Sequence, residues 1–164
     1  MLGGDVSFSF YDRDTEFYGG IHQQGYEIRM NPSVGYFPAD KLSVGLKATL
    51  SSGGARFPND QAYDGTFNKS TMFDLGPFVR YYFLPTEKNV NLFSEVMYQY
   101  GYFKGISSNI NGRNTFTLSA GPVVYFNSSV GMEFLVSYSN ARFIGYEGKI
   151  NTLMTGVGFK IHLD

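Results

Sequence analysis

The sequence predicts an all-β protein: an eight-stranded antiparallel up-and-down β-barrel that crosses a membrane with its apolar face outward. Three observations carry this. Apolar and polar residues alternate with a period of two along most of the chain. The segments between the alternating runs are long and short by turns. The polar face of the runs is rich in glycine and balanced in charge.

The runs, in chain order, begin with Asp5 to Tyr11, where Val6, Phe8 and Phe10 oppose Asp5, Ser7 and Ser9. After the polar connection 12–25 comes the clearest hairpin, Tyr26 to Ser51. Its first arm sets Tyr26, Ile28, Met30, Pro32, Val34 and Tyr36 against Glu27, Arg29, Asn31, Ser33 and Gly35. Its second sets Leu42, Val44, Leu46, Ala48 and Leu50 against Ser43, Gly45, Lys47, Thr49 and Ser51, with a turn at PADK between them. An irregular segment rich in Gly, Asn and Asp, 52–69, leads to a fourth strand over 71–83. The turn LPTEKN joins it to a fifth over 90–102. The connection FKGISSNINGRN precedes a sixth strand, which aligns Phe116, Leu118, Ala120, Pro122, Val124 and Phe126. After a tight NSS turn the seventh aligns Val130, Met132, Phe134, Val136 and Tyr138. The eighth, beyond the connection 140–149, aligns Leu153, Val157, Phe159, Ile161 and Leu163.

In an up-and-down sheet the short turns gather at one end and the long loops at the other, and an even strand count puts both termini at the short-turn end. Runs of roughly ten residues match the ~9–11 that a tilted strand needs to cross a bilayer. Hydrocarbon leaves no partner for an open sheet edge, so the sheet must close. Pro32, Pro77 and Pro122 recur at intervals of 45 residues in NPSVGYF, GPFVRYYF and GPVVYF, each leading into a short turn. They predict a bulge or bend at equivalent heights, or else record drift from an ancestral hairpin duplication.

The composition narrows function. At 164 residues the chain is a single domain, 1–164. A net charge of −1 carries no footprint for nucleic acid. Without Cys there are no disulfides and no thiol chemistry. No apolar run approaches the ~18 residues of a membrane-spanning helix. No export signal is visible at the N-terminus, so either the chain is cytosolic or, the favoured expectation, Met1 stands where a signal has been removed.

The polar face decides which side meets lipid. Gly35, Gly45, Gly76, Gly121, Gly131, Gly156 and Gly158 weaken a solvent-facing strand but suit a crowded lumen. On the same face Glu27, Asp74, Glu95 and Glu133 stand against Arg29, Lys47, Arg80 and Lys160, which fits an internal ion-pair network. Arg80 with Glu95, and Glu133 with Lys160, are the expected neighbours. The outward aromatics form two girdles: Tyr36, Tyr81, Phe83 and Phe126 at the short-turn end, and Tyr26, Phe73, Tyr98, Tyr100, Tyr102 and Tyr138 toward the long loops.

The strand plan, the loop asymmetry and segments such as NPSVGYFPADKLSVGLKATL, GPFVRYYFLP and GPVVYF resemble the small OmpA/OmpX-like outer-membrane β-barrel proteins of Gram-negative bacteria over essentially the whole chain. The resemblance implies short periplasmic turns, long extracellular loops, periplasmic termini and a porin-like integral membrane protein at the cell surface. It departs from such barrels at its last residues, Phe159 to Asp164, where they often finish in an aromatic.

Three functions compete. The leading expectation is a non-enzymatic, monomeric barrel that needs no cofactor or metal, has the lipid bilayer as its solvent, and acts as scaffold or surface binding and adhesion module. Its loops, with Phe17, Tyr18, Phe57, Tyr63, Phe67, Phe143 and Tyr146, would meet an extracellular ligand or protein, or simply pack over the barrel mouth. The alternatives are a narrow pore or hydrophobic-ligand transporter, and a lipid-modifying enzyme. For the last, the only histidines are His162 at the short-turn rim and His22, downstream of Asp12, Asp14 and Glu16. The same DRDTE run is the one candidate for a divalent cation.

Overall fold

A computed structural model describes residues 1–15, 21–56, 68–85, 89–104, 110–145 and 149–162. Eight strands run in chain order: β1 (Leu2–Thr15), β2 (Ile21–Ala39), β3 (Leu42–Arg56), β4 (Asn68–Tyr82), β5 (Val90–Lys104), β6 (Ile110–Tyr125), β7 (Val130–Phe143) and β8 (Lys149–Ile161). Each pairs antiparallel with its sequence neighbours, and β8 returns to β1 to close the barrel.

The strands have 13 to 19 residues, longer than the alternating runs suggest. Most of the added length lies at the long-loop end, where β1 continues to Thr15, β2 begins at Ile21 and β6 begins at Ile110. There the backbone ladder continues while the apolar alternation stops. The long connections are thus partly hairpin.

Side chains alternate as the pleat demands. Val6, Ile28, Met30, Leu46, Val79, Val96, Leu118 and Phe134 are exposed, while Asp5, Glu27, Lys47, Asp74, Arg80, Glu95 and Glu133 are buried. An outer wall of this kind would aggregate in water and is stable in hydrocarbon.

Pro32, Pro77 and Pro122 all point outward, and each breaks its ladder to the following strand. Pairing skips from Met30–Leu50 to Ser33–Lys47, from Leu75–Tyr100 to Phe78–Met97, and from Ala120–Val136 to Val123–Glu133. Register is the same on both sides of each gap. The expected bulges are therefore absent at the prolines: the missing N–H drops a bond without inserting a residue. Among the described residues the one register shift falls between Tyr36 and Ala39, beside the turn in which Lys41 takes φ 65°.

Glycine makes room inside. A Cβ on Gly35 would stand 3.0 Å from the Phe78 ring, and one on Gly45 would stand 2.8 Å from it. Both would also press on the backbone of the facing strand. Gly45→Ala is therefore expected to destabilise the barrel by about 1–3 kcal/mol through overpacking. Equilibrium urea unfolding from lipid vesicles measures it.

Candidate functional site

The lumen has three layers. At the short-turn end Tyr82, Phe93, Val123 and Leu135 pack together, with Tyr125 against them. Phe78, Met97 and Met1 form a second group. The ring of His162 lies 5.3 Å from Phe37, 5.6 Å from Tyr125 and 6.2 Å from Tyr82. This apolar floor occupies part of the inner face that the sequence pattern describes as polar.

Above it lies a chain of charges of alternating sign. Lys47 Nζ pairs with Asp5 Oδ2 at 3.4 Å and, more closely, with Glu95. Arg80 donates to Glu95 Oε2 at 2.8 Å and to Glu133 Oε2 at 2.5 Å. Lys160 Nζ completes the series, 3.4 Å from Glu133 Oε1, and donates to Ser33 Oγ at 3.2 Å. The sequence Asp5–Lys47–Glu95–Arg80–Glu133–Lys160 is neutral, and it begins on β1 and ends on β8. Arg80 is 1% exposed, and Glu133 and Lys160 are 0% exposed. The Arg80 guanidinium also lies over the Phe93 ring, 4.1 Å from its centroid, so the charge layer rests on the floor.

Polar side chains add hydrogen bonds to this chain. Asn31 Nδ2 donates to Asp5 Oδ1 at 2.6 Å, Thr49 Oγ1 donates to Asn31 Oδ1 at 2.7 Å, and Gln99 Nε2 donates to the Lys47 carbonyl at 2.8 Å.

Toward the long-loop end two further pairs fill the lumen. Arg29 grips Glu27 at 2.8 and 3.0 Å and reaches Ser139 Oγ at 3.4 Å. Arg113 holds Asp74 with two bonds, the longer 2.8 Å, and also contacts Met72 Sδ.

The structure thus brings Arg80 to Glu95, and Glu133 to Lys160, as the strand depths suggest. It joins Lys47 to Glu95 as well, and pairs Glu27 with Arg29 on their own strand. Two network members lie outside the eight named from sequence. Asp5 sits on the polar face of the first run, and a count of opposite charges on all eight runs would have found it. Arg113 stands in a segment without apolar alternation, so it reads as loop.

The girdle residues Tyr36, Phe73, Tyr81, Phe83, Tyr98, Tyr100, Tyr102, Phe126 and Tyr138 are exposed on the outer wall, and Tyr26 is half-buried. Tyr81 with Phe83, and Tyr100 with Tyr102, form edge-to-face pairs at 5.3 and 5.6 Å. Phe17, Tyr18, Phe57, Tyr63, Phe67, Tyr146, Glu16, Leu163 and Asp164 lie outside the described residues. The ladder sets Asp14 opposite His22, and the side chains of Asp12, Asp14 and His22 also lie outside what is described. Among the described residues no group of three His, Cys, Asp or Glu side chains could hold a metal ion.

The fold is that of the small eight-stranded outer-membrane barrels. Neisserial surface protein A superposes with a TM-score of 0.61 at 8% identity, over 98% of this chain and 96% of that one. The N-terminal β-barrel domain of Pseudomonas aeruginosa OprF matches at 0.45 and 16% identity, over 98% and 96%. Ail, the attachment invasion locus protein of Yersinia pestis, matches at 0.46 and 10% identity, over 98% and 97%. No protein-family model matches the chain, and no curated protein sequence does.

Two outcomes follow from the lumen. Arg80→Met leaves Glu133 and Glu95 each short of a partner and is expected to cost about 3–5 kcal/mol in the same urea titration. His162 lies just beyond β8, where burial first, and then nearby positive charge including Arg80 and Lys160, holds its imidazole below the usual 6.5. Its neutral form is favoured by folding, so its contribution is full above pH 6.5 and declines as the pH falls below it. Ordinary carboxylates stay ionised between pH 7 and 5. The unfolding midpoint should therefore drop over that interval, and His162→Phe should flatten the drop while His22→Gln should not.

Proposed function

We infer that this chain is an integral outer-membrane barrel without catalytic activity, whose task is to hold a surface-exposed binding or adhesion platform in the bilayer. One observation carries the reading. The outer wall is a continuous apolar belt, and the lumen behind it is filled by a neutral, buried chain of ion pairs. A scaffold needs such a sealed and rigid interior; a conduit does not. Arg80, Glu133 and Lys160 are each no more than 1% exposed, which speaks against steady passage of ions or apolar ligands at their level.

A single chain closes the barrel, in keeping with a monomer. Both ends of the described chain lie at the short-turn end, where Leu2 pairs with Ile161. That end is periplasmic in this reading, and the connections at the other end face outward and present the binding surface.

The experiments are direct. In detergent, unheated protein should migrate ahead of boiled protein on a denaturing gel, and identical migration would refute the membrane barrel. Planar bilayers should show no steady conductance. Lipid composition should be unchanged by the protein, with or without His22→Ala; a modified lipid lost in that variant would favour the enzyme. Deleting residues 57–67 should abolish attachment of whole cells to a ligand surface while leaving the heat-dependent gel shift intact.

A further inference from the structure

The barrel closes unevenly. β1 and β8 pair only from Leu2–Ile161 to Phe8–Thr155, the shortest ladder of the eight seams. Above this fork Ser9–Thr15 bonds to β2, and Lys149–Met154 bonds to β7, but neither edge has a ladder to the other. Edges of this kind, unpaired to each other among the described residues, present N–H and C=O groups that need partners wherever water is scarce.

Side chains mark the same place. Phe10 and Leu153, which flank the fork, are 77% and 69% exposed, the highest values among the large apolar residues described. Immediately below, the outer wall sinks into an apolar groove of about 500 Å³, bordered by Val6, Phe8, Pro122, Phe134, Thr155 and Val157.

From the groove upward along β7 and β8 the outward pairs change character in order. Val136–Thr155 and Tyr138–Leu153 are followed by Asn140–Asn151, joined by a 2.6 Å hydrogen bond, and then by Arg142–Lys149. Both cations are exposed and neither is in an ion pair among the described residues. Like charges directly opposite each other across a ladder repel unless an anion bridges them. At ~3.4 Å per residue, Thr155 to Lys149 spans about 20 Å along the strand, comparable to an extended acyl chain with its headgroup.

The geometry points to a binding site for one acyl-chain lipid of the leaflet at the long-loop end whose phosphate headgroup carries net negative charge. Its chain lies in the groove. Its phosphate lies against Arg142 and Lys149, and its headgroup oxygens accept from the edges of the fork. The site rests on the reading of the chain as a membrane barrel.

The absence of Trp from the sequence makes the test clean. Leu153→Trp reports on the fork, and Val96→Trp reports on an outward position away from it. Each is placed in vesicles containing nitroxide-labelled phosphatidic acid or nitroxide-labelled phosphatidylcholine. Quenching of the indole fluorescence at position 153 should select phosphatidic acid over phosphatidylcholine by about tenfold, and the reporter at 96 should select neither. Adding R142Q/K149Q should abolish the selection. Adding R56Q/K69Q, which removes two exposed cations from the β2–β3–β4 side of the same rim, should leave it intact. Equal quenching by the two lipids at the fork, or equal loss in both double variants, would overturn the site while leaving the membrane barrel standing. Quenching by neither lipid would overturn the membrane barrel and the site with it.

Discussion

The buried charge chain from Asp5 to Lys160 is the constraint on which the rest of the molecule depends. A barrel with an apolar outer wall must place its polar residues inside, where an unpaired charge is costly, so each charge must find its opposite across strands that are distant in sequence. Lys47 on β3 reaches Asp5 on β1 and Glu95 on β5, and Arg80 on β4 reaches Glu133 on β7. These links run through the lumen rather than along the sheet. They therefore pin the register of all the strands they join. A slip of one residue would turn Lys47 or Glu95 into the lipid-facing wall and Leu46 or Val96 into the charge layer.

The same constraint shapes what lies above and below. The glycines at 35 and 45 admit the Phe78 ring, and Lys47 lies 5.5 Å from the centroid of that ring. Arg80 rests on Phe93. A Cβ on Gly158 would stand 2.9 Å from Glu133 Oε1, so the absence of that atom leaves space for the carboxylate that links Arg80 to Lys160. Small residues, rings and charges thus fill one another's gaps in the described part of the lumen.

Much of this was legible in the sequence because a period of two reports the sheet and charge balance reports its inside. The hairpin Tyr26 to Ser51, the strand count and the Arg80–Glu95 and Glu133–Lys160 pairings follow from those cues. What escaped has physical reasons. β6 extends back to Ile110, but outside the hydrocarbon an outward residue need not be apolar, so the period fades while the ladder persists, and Arg113 passed for loop. Phe93, Met97, Val123 and Leu135 share the inner face with charges, and alternation alone cannot separate a residue in an apolar floor from one facing lipid. The prolines signal a lost donor, yet only the ladder shows that the register survives it. The half-open β1–β8 seam leaves no mark on either strand's pattern, since pairing across closure is set by barrel geometry.

Coupling across the lumen is the central claim, and a double-mutant cycle between Lys47 and Glu95 tests it most directly. Lys47→Met, Glu95→Leu and the double variant would each be unfolded with urea from lipid vesicles. A shared buried ion pair predicts that either single change costs several kcal/mol, about 3–5, because a charge is left stranded, and that the double variant recovers most of the loss. Single effects that simply add, within about 0.5 kcal/mol, would mean that the two side chains do not meet across the barrel and that the interior is organised in some other way.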